Sequence, residues 1–227
     1  MKTLLTTACA AALTMAAPLT LAAPESEEER LSYSLGVAYG QSIAQDFTDL
    51  DVDAFAEAIR DVIEGNELAM SNEAMAEALN RFQEEAMAAR QAETQQLAER
   101  NLAEGEAFLE ENAEREGVQV TDSGLQYEVL ESGDGASPEA SSTVEVHYEG
   151  SLVDGTVFDS SLDRGEPITF RVNQVIEGWQ EALTMMQVGD TWKLFIPAEL
   201  GYGAQGQGPI GPNETLIFEV ELLDVMD

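Results

Sequence analysis

From Ser71 to about Asn112 the chain carries no proline and is dominated by Ala, Glu, Gln, Leu, Met and Arg, residues that lose little on entering a helix. A single helix over this run is roughly 60 Å long at 1.5 Å per residue. Its first third is amphipathic through Met75, Leu79, Phe82 and Ala86, whereas AARQAETQQLAERNLAEGE is polar nearly all round, the pattern of a solvent-bridging stalk that has to be anchored at both ends. Pairs such as Glu77 with Arg81 and Glu111 with Arg115 add only about 0.3–0.5 kcal/mol each. Gly105 costs about 1 kcal/mol in a helix interior and is a candidate bend.

Two shorter amphipathic helices precede the stalk. Leu31, Leu35, Ala38 and Ser42 share one helical face, and Val52, Phe55, Ile59 and Val62 share another. Gly36 and Gly40 leave a flat strip on the first, suited to a close backbone approach or simply to a looser helix. GNELAMS supplies a stop at Gly65 and an N-cap at Ser71. Neither helix is long enough to be stable alone, and one copy has little to bury them against. The pattern predicts a homodimer through residues 25–70, a self-contained three-helix bundle being the alternative.

The N-terminus, MKTLLTTACAAALTMAAPLTLAAPESEEE, has a Lys, an uncharged Ala-rich apolar run and small residues before the acids, which reads as a secretory signal peptide over residues 1–22 cut after Ala22. A membrane anchor is the competing reading. The one cysteine, Cys9, falls inside this leader, so the mature chain is expected to have no disulfide and no thiolate nucleophile. Export to the periplasm follows, with outer-membrane or surface association left open. Without Lys2, 44 acids face 9 bases. That balance argues against nucleic acid or anionic lipid as partners; it serves solubility by self-repulsion or reflects adaptation to high salt.

Near residue 115 the composition turns Gly/Pro-punctuated and alternating. GLQYEVLESGDG, TVEVHYEGSLVDGTVFDSS with its Asp-Gly turn, TWKLFIPAEL and TLIFEVELLDV read as antiparallel strands. VIEGWQEALTMM is the one helical stretch, with Trp179, Ala182, Leu183 and Met186 on one side. The expected class is α+β, a curved antiparallel sheet wrapped on one short helix behind a helical N-terminal half. The division is 1–22 leader, 23–70 dimerisation segment, 71–114 long helix and 115–227 sheet domain.

The sequence has no nucleophile elbow, P-loop or dinucleotide fingerprint. Its one histidine, His147, lies in an alternating run with no second His and no Cys nearby, so it reads as a half-buried strand residue, and neither metal nor cofactor is expected. What remains is a set of glycine-flanked aromatic and branched residues in the second half. Composition alone favours core over pocket for them.

VHYEGSLVDGTVFDSSLDRGEPITF, VIEGWQEAL and LGYGAQGQGPIGPNETLIFEVELL closely resemble, in order over residues 118–225, the FKBP-type peptidyl-prolyl isomerases. The first half, ending in GEAFLEEN, resembles the macrophage infectivity potentiator-like subgroup, whose members are periplasmic or surface homodimers. The resemblance implies an isomerase assisting the folding of exported, proline-containing proteins; alternatives are a chaperone whose dimer cleft holds unfolded chains, and a proline-peptide adaptor with little turnover. It places Tyr148, Phe158, Asp159, Ile176, Trp179, Tyr202 and Phe218 in the catalytic pocket, with Arg164, Ile168, Phe170, Val175 and Ile210 contacting substrate. Trp179 is then the platform under the pyrrolidine ring, walled by Tyr148, Phe170 and Phe218. The Ile176 N–H and Tyr202 hydroxyl hold carbonyls, and Asp159 is an organiser fixed by Arg164 and Tyr148. Macrolide inhibitor binding is a further implication. The chain departs from the family pattern at Ile168, where many relatives carry an aromatic, and in the loop with Gln205 and Gln207, one residue shorter before Ile210.

Overall fold

The computed structural model describes residues 23–47 and 49–226; the leader, its cleavage point and Cys9 lie outside them. Among the described residues no helix is long and apolar enough to cross a membrane.

The chain forms two compact units, divided at Ala74/Met75. In the first, α1 (Glu27–Asp46) opens with a reciprocal capping box: Glu29 N–H donates to Ser26 Oγ at 3.1 Å, and Ser26 N–H to Glu29 Oε2 at 3.0 Å. Helix α2 (Val52–Glu64) is capped by Asp51, which accepts from the N–H groups of Asp53 and Ala54, and stops at Gly65. No residue of α2 is buried. Apolar side chains of both helices face solvent, with Leu31 62%, Val52 69% and Ile63 79% exposed.

Helix α3 (Asn72–Ala113) begins where Ser71 Oγ accepts the Ala74 N–H at 3.2 Å. It runs through Gly105 without interruption. The second unit follows with β1 (Val118–Val120), β2 (Gln126–Glu131), β3 (Thr143–Leu152), β4 (Val157–Ser160), α4 (Ser161–Arg164), β5 (Ile168–Arg171), α5 (Glu177–Met185), β6 (Thr191–Ile196) and β7 (Leu216–Met226). The sheet is antiparallel in the order β1-β2-β6-β7-β3-β4, and β5 also pairs with β3. Strand β3 lies beside β7 along its whole length, while β5 takes the first half of its other edge and β4 the second.

The alternation in the sequence sets the two faces of the sheet. Val144, Val146, Leu194, Ile196, Leu216, Val220 and Leu222 are fully buried toward α5, whose Trp179, Ala182 and Leu183 complete one core. α4, too short to show a period, was not expected as a second helical stretch.

The opposite face is covered at one end by the last turns of α3. Phe108 packs on Phe195, ring centroids 5.9 Å apart, and the Arg115 guanidinium lies 5.7 Å from the same ring. Asn112 Nδ2 donates to Gln126 Oε1 at 2.8 Å, and Gln126 Nε2 returns a bond to Leu109 O at 2.9 Å. Asn101, Gly105 and Asn112 are buried, which corrects the expectation of a stalk with no buried face. At Gly105 the approach is close: a Cβ would stand 2.3 Å from Thr215 Oγ1. The glycine therefore serves contact, and the helix tolerates its cost because Thr215 sits where a side chain would be.

Candidate active site

Beside α5 the sheet leaves an open cleft of about 710 Å³. Its floor is the Trp179 indole, 4% exposed, presented by the first turn of α5 because the helix buries its Ala182–Leu183 side. Tyr148 from β3 meets the indole edge-on at 5.4 Å and 87°, Phe218 from β7 at 5.1 Å and 85°, and Phe170 from β5 at 5.5 Å and 56°. Phe158 from β4 stands edge-on to Phe218 at 5.5 Å. Edge-to-face packing of this kind favours defined ring orientations.

Tyr148 is held by a device outside its own side chain. Between the end of β4 and the start of β5 the edge of β3 has no strand partner, and Ser161 fills the gap. Fully buried, its Oγ accepts the Tyr148 N–H at 2.8 Å and donates to Tyr148 O at 3.1 Å. His147, half-buried in the strand, brings Nδ1 to 3.0 Å from the same oxygen. At the far end, the Tyr148 hydroxyl donates to Asp159 Oδ2, Arg164 Nη1 donates to Asp159 Oδ1, and Arg164 Nη2 donates to the Tyr148 hydroxyl at 3.0 Å.

These bonds set the charges. Partial burial pushes the Asp159 carboxyl up, but hydrogen bonds from Tyr148, Arg164 and the Ser160 backbone, with the Arg164 charge, outweigh it and hold it below the usual carboxylate range. Burial, then the bond to Asp159, raises the Tyr148 phenol; burial, then the Asp159 charge, raises that of Tyr202. Near neutrality the cleft thus holds an ionised Asp159 and two protonated phenols. Being depressed, Asp159 contributes stability present above its unfolded pKa and lost as pH falls through its folded one. With no group of the cleft titrating between, kcat/KM is expected to stay flat from roughly pH 5 to 9, as a pH profile on a peptide substrate will check.

The remaining wall is a loop. Tyr202 precedes a turn at Gly203–Gln205, and Gln207–Ile210 closes a tight hairpin, with the Gln207 N–H bonded to Ile210 O at 2.9 Å and the Ile210 N–H to Gln207 O at 3.0 Å. At the helix end, Gln180 Nε2 donates to Val175 O at 2.7 Å. The Ile176 N–H, at the N-cap of α5, meets no acceptor among the described residues.

Ile168, Val175, Ile176, Tyr202 and Ile210 join the aromatic residues and Asp159 in lining the cleft. Arg164 stands behind it, reaching it through Tyr148 and Asp159. Sequence reasoning did not single out Gln174, Gly208 and Pro209 as lining residues, nor Ser161 and Gln180 as supports. Gln207, noted only as a departure in the loop, also lines the cleft.

An antiparallel sheet wrapped on one helix thus encloses an aromatic cleft with an unpaired backbone N–H at its edge, an arrangement suited to an apolar ligand. Comparison with known proteins identifies the family. Residues 135–223 match the family model for the FKBP-type peptidyl-prolyl cis-trans isomerase, and residues 28–129 match that of the domain amino terminal to it. The chain is 46% identical to the "Outer membrane protein MIP" of Legionella longbeachae, over 88% of this chain and 86% of that protein. It is 47% identical to the FKBP-type 22 kDa peptidyl-prolyl cis-trans isomerase of Escherichia coli strain K12, over 88% and 96%. The crystal structure of FkpA from Escherichia coli superimposes with a TM-score of 0.79 at 36% identity, covering 89% of this chain and 98% of that one. The chain belongs to the FKBP-type peptidyl-prolyl cis-trans isomerases and is an enzyme of protein folding.

Proposed function

We propose that the cleft catalyses rotation about X-Pro bonds without a covalent step, by receiving the pyrrolidine ring on Trp179. The observation that carries this is the indole as the floor of an open cleft with three aromatic walls. The planar amide resists rotation through conjugation, over a barrier of about 20 kcal/mol. It is dipolar and well hydrated, and the twisted amide less so, so a dry apolar surface disfavours the first relative to the second. The Ile176 N–H and Tyr202 hydroxyl hold substrate carbonyls, while Asp159, pinned by Arg164, orients Tyr148 and transfers no proton. Lowering the barrier by about 7 kcal/mol accelerates rotation about 10⁵-fold. The test is proline-limited refolding of a denatured protein: substoichiometric enzyme is expected to speed the slow phase, and an unchanged slow phase with retained peptide binding would leave an adaptor.

The working form is a periplasmic homodimer joined through residues 25–70, with exported, proline-containing chains as substrates. The solvent-facing apolar sides of α1 and α2 support it, as does the match to the domain amino terminal to such isomerases. Residues 23–70, 71–114 and 115–227 serve as dimerisation segment, connecting helix and isomerase domain. Macrolide binding to the same cleft is part of the proposal, tested by inhibition of refolding. The mature chain is expected to sediment as a dimer at micromolar concentration, and Ile59→Asp, which sets a charge on the α2 apolar face, as a monomer.

A further inference from the structure

We propose that Asn101 of α3 is a positioning residue of the active site, clasping the loop that forms one rim of the cleft. The inference rests on the reading of the cleft given above. The contacts fall on one short stretch of chain. Asn101, 7% exposed, donates through Nδ2 to Pro212 O and to Glu214 Oε1, both at 2.9 Å. Between these two acceptors lies Asn213, in the left-handed region at φ 54°, a conformation that asparagine tolerates better than most residues. Its Nδ2 donates to Ala98 O at 3.2 Å, and its backbone N–H to Gly203 O at 2.9 Å.

Asn213 thereby ties the helix to two parts of the rim at once. Gly203 follows Tyr202, and Pro212 is two residues beyond Ile210, both of which line the cleft. A shift of the clasp moves the carbonyl-holding hydroxyl and the apolar lip together. The packing leaves little slack, since a Cβ at Gly211 would stand 3.2 Å from Asn101 Nδ2. Without the Asn101 amide, the Pro212 carbonyl and the Glu214 carboxylate lose a buried donor, and the loop has to open toward water to replace it. The other buried asparagine of this stretch, Asn112, bonds to Gln126 in β2, and its bonded neighbours include no rim residue. It is the control.

The experiment compares the mature full-length chain with Asn101→Leu and Asn112→Leu, reading thermal stability together with kcat and KM on an X-Pro peptide. Both variants are expected to melt lower than the parent. Asn101→Leu alone is expected to raise KM, by about 5-fold, with kcat within about twofold because the floor and its aromatic walls are untouched. Equal KM values in the two variants would overturn the proposal, reducing Asn101 to a structural anchor. Should Asn101→Leu fail to fold, Asn213→Gly keeps the left-handed backbone and removes the bond to Ala98 O. A raised KM in that variant supports the clasp, and an unaltered one overturns it. A parent chain without isomerase activity would instead remove the reading of the cleft itself.

Discussion

Trp179→Ala is expected to lower kcat/KM about 30-fold, a loss of about 2 kcal/mol in transition-state stabilisation, and to destabilise the isomerase domain by about 3 kcal/mol. Both effects have one origin. The indole is 4% exposed and touches three aromatic rings while forming the floor of the cleft. Its removal leaves Tyr148, Phe170 and Phe218 without the surface that fixes them, and lets water reach the place where a dry surface disfavours the planar amide. A peptide isomerisation assay under conditions where the variant is folded measures the loss of activity, and urea unfolding measures the loss of stability. Trp179→Phe, which keeps an aromatic plane, is expected to recover most of the activity. Full activity in the alanine variant would move the reaction elsewhere in the molecule.

Gly206→Ala is expected to produce the second large effect, confined to the rim. Gly206 has φ 63° and ψ −174°, a conformation essentially restricted to glycine. A Cβ there would stand 2.3 Å from Ile210 O and 2.6 Å from Gly211 O. Both obstacles are backbone, so no side chain can swing aside to admit the methyl group. The hairpin that closes Gln207 against Ile210 has to open, at a cost of about 2–3 kcal/mol to the local structure. Peptide KM is expected to rise about 10-fold, while far-ultraviolet dichroism stays that of the parent because α5 and the sheet lie outside the loop. An unchanged KM would show that this loop takes no part in substrate binding.

The sheet was legible because its strands obey a period of two with few exceptions. TVEVHYEGSL alternates in the sequence, and the buried side chains of β3 alternate with it. The helices were legible from their caps, Ser71 and Gly65 among them. The packing of α3 was not. Its buried positions are Asn101, Gly105 and Asn112, two amides and a bare backbone beside the aromatic contact of Phe108, and hydrophobic periodicity does not register positions of that kind. The same limit hides the reason for Gly105, which lies in Thr215, 110 residues away in the sequence. The cleft residues come from six separated segments, and no spacing rule joins Phe158, Trp179 and Phe218; the family resemblance did that. Ser161 escaped notice because its role depends on β3 having two different partners on one edge.

The two tryptophans share an unusual condition. Trp179 and Trp192 are both buried, and the indole N–H of each lacks an acceptor among the described residues. Trp192 lies stacked on Tyr127 at 4.4 Å and 8°, and it is not among the residues that line the cleft. Indoles so shielded emit toward the blue, and a guest entering the cleft touches one of them. On the proposed reading of the cleft, the protein carries a label-free optical gauge of occupancy, with Trp192 as a constant background and Trp179 as the needle.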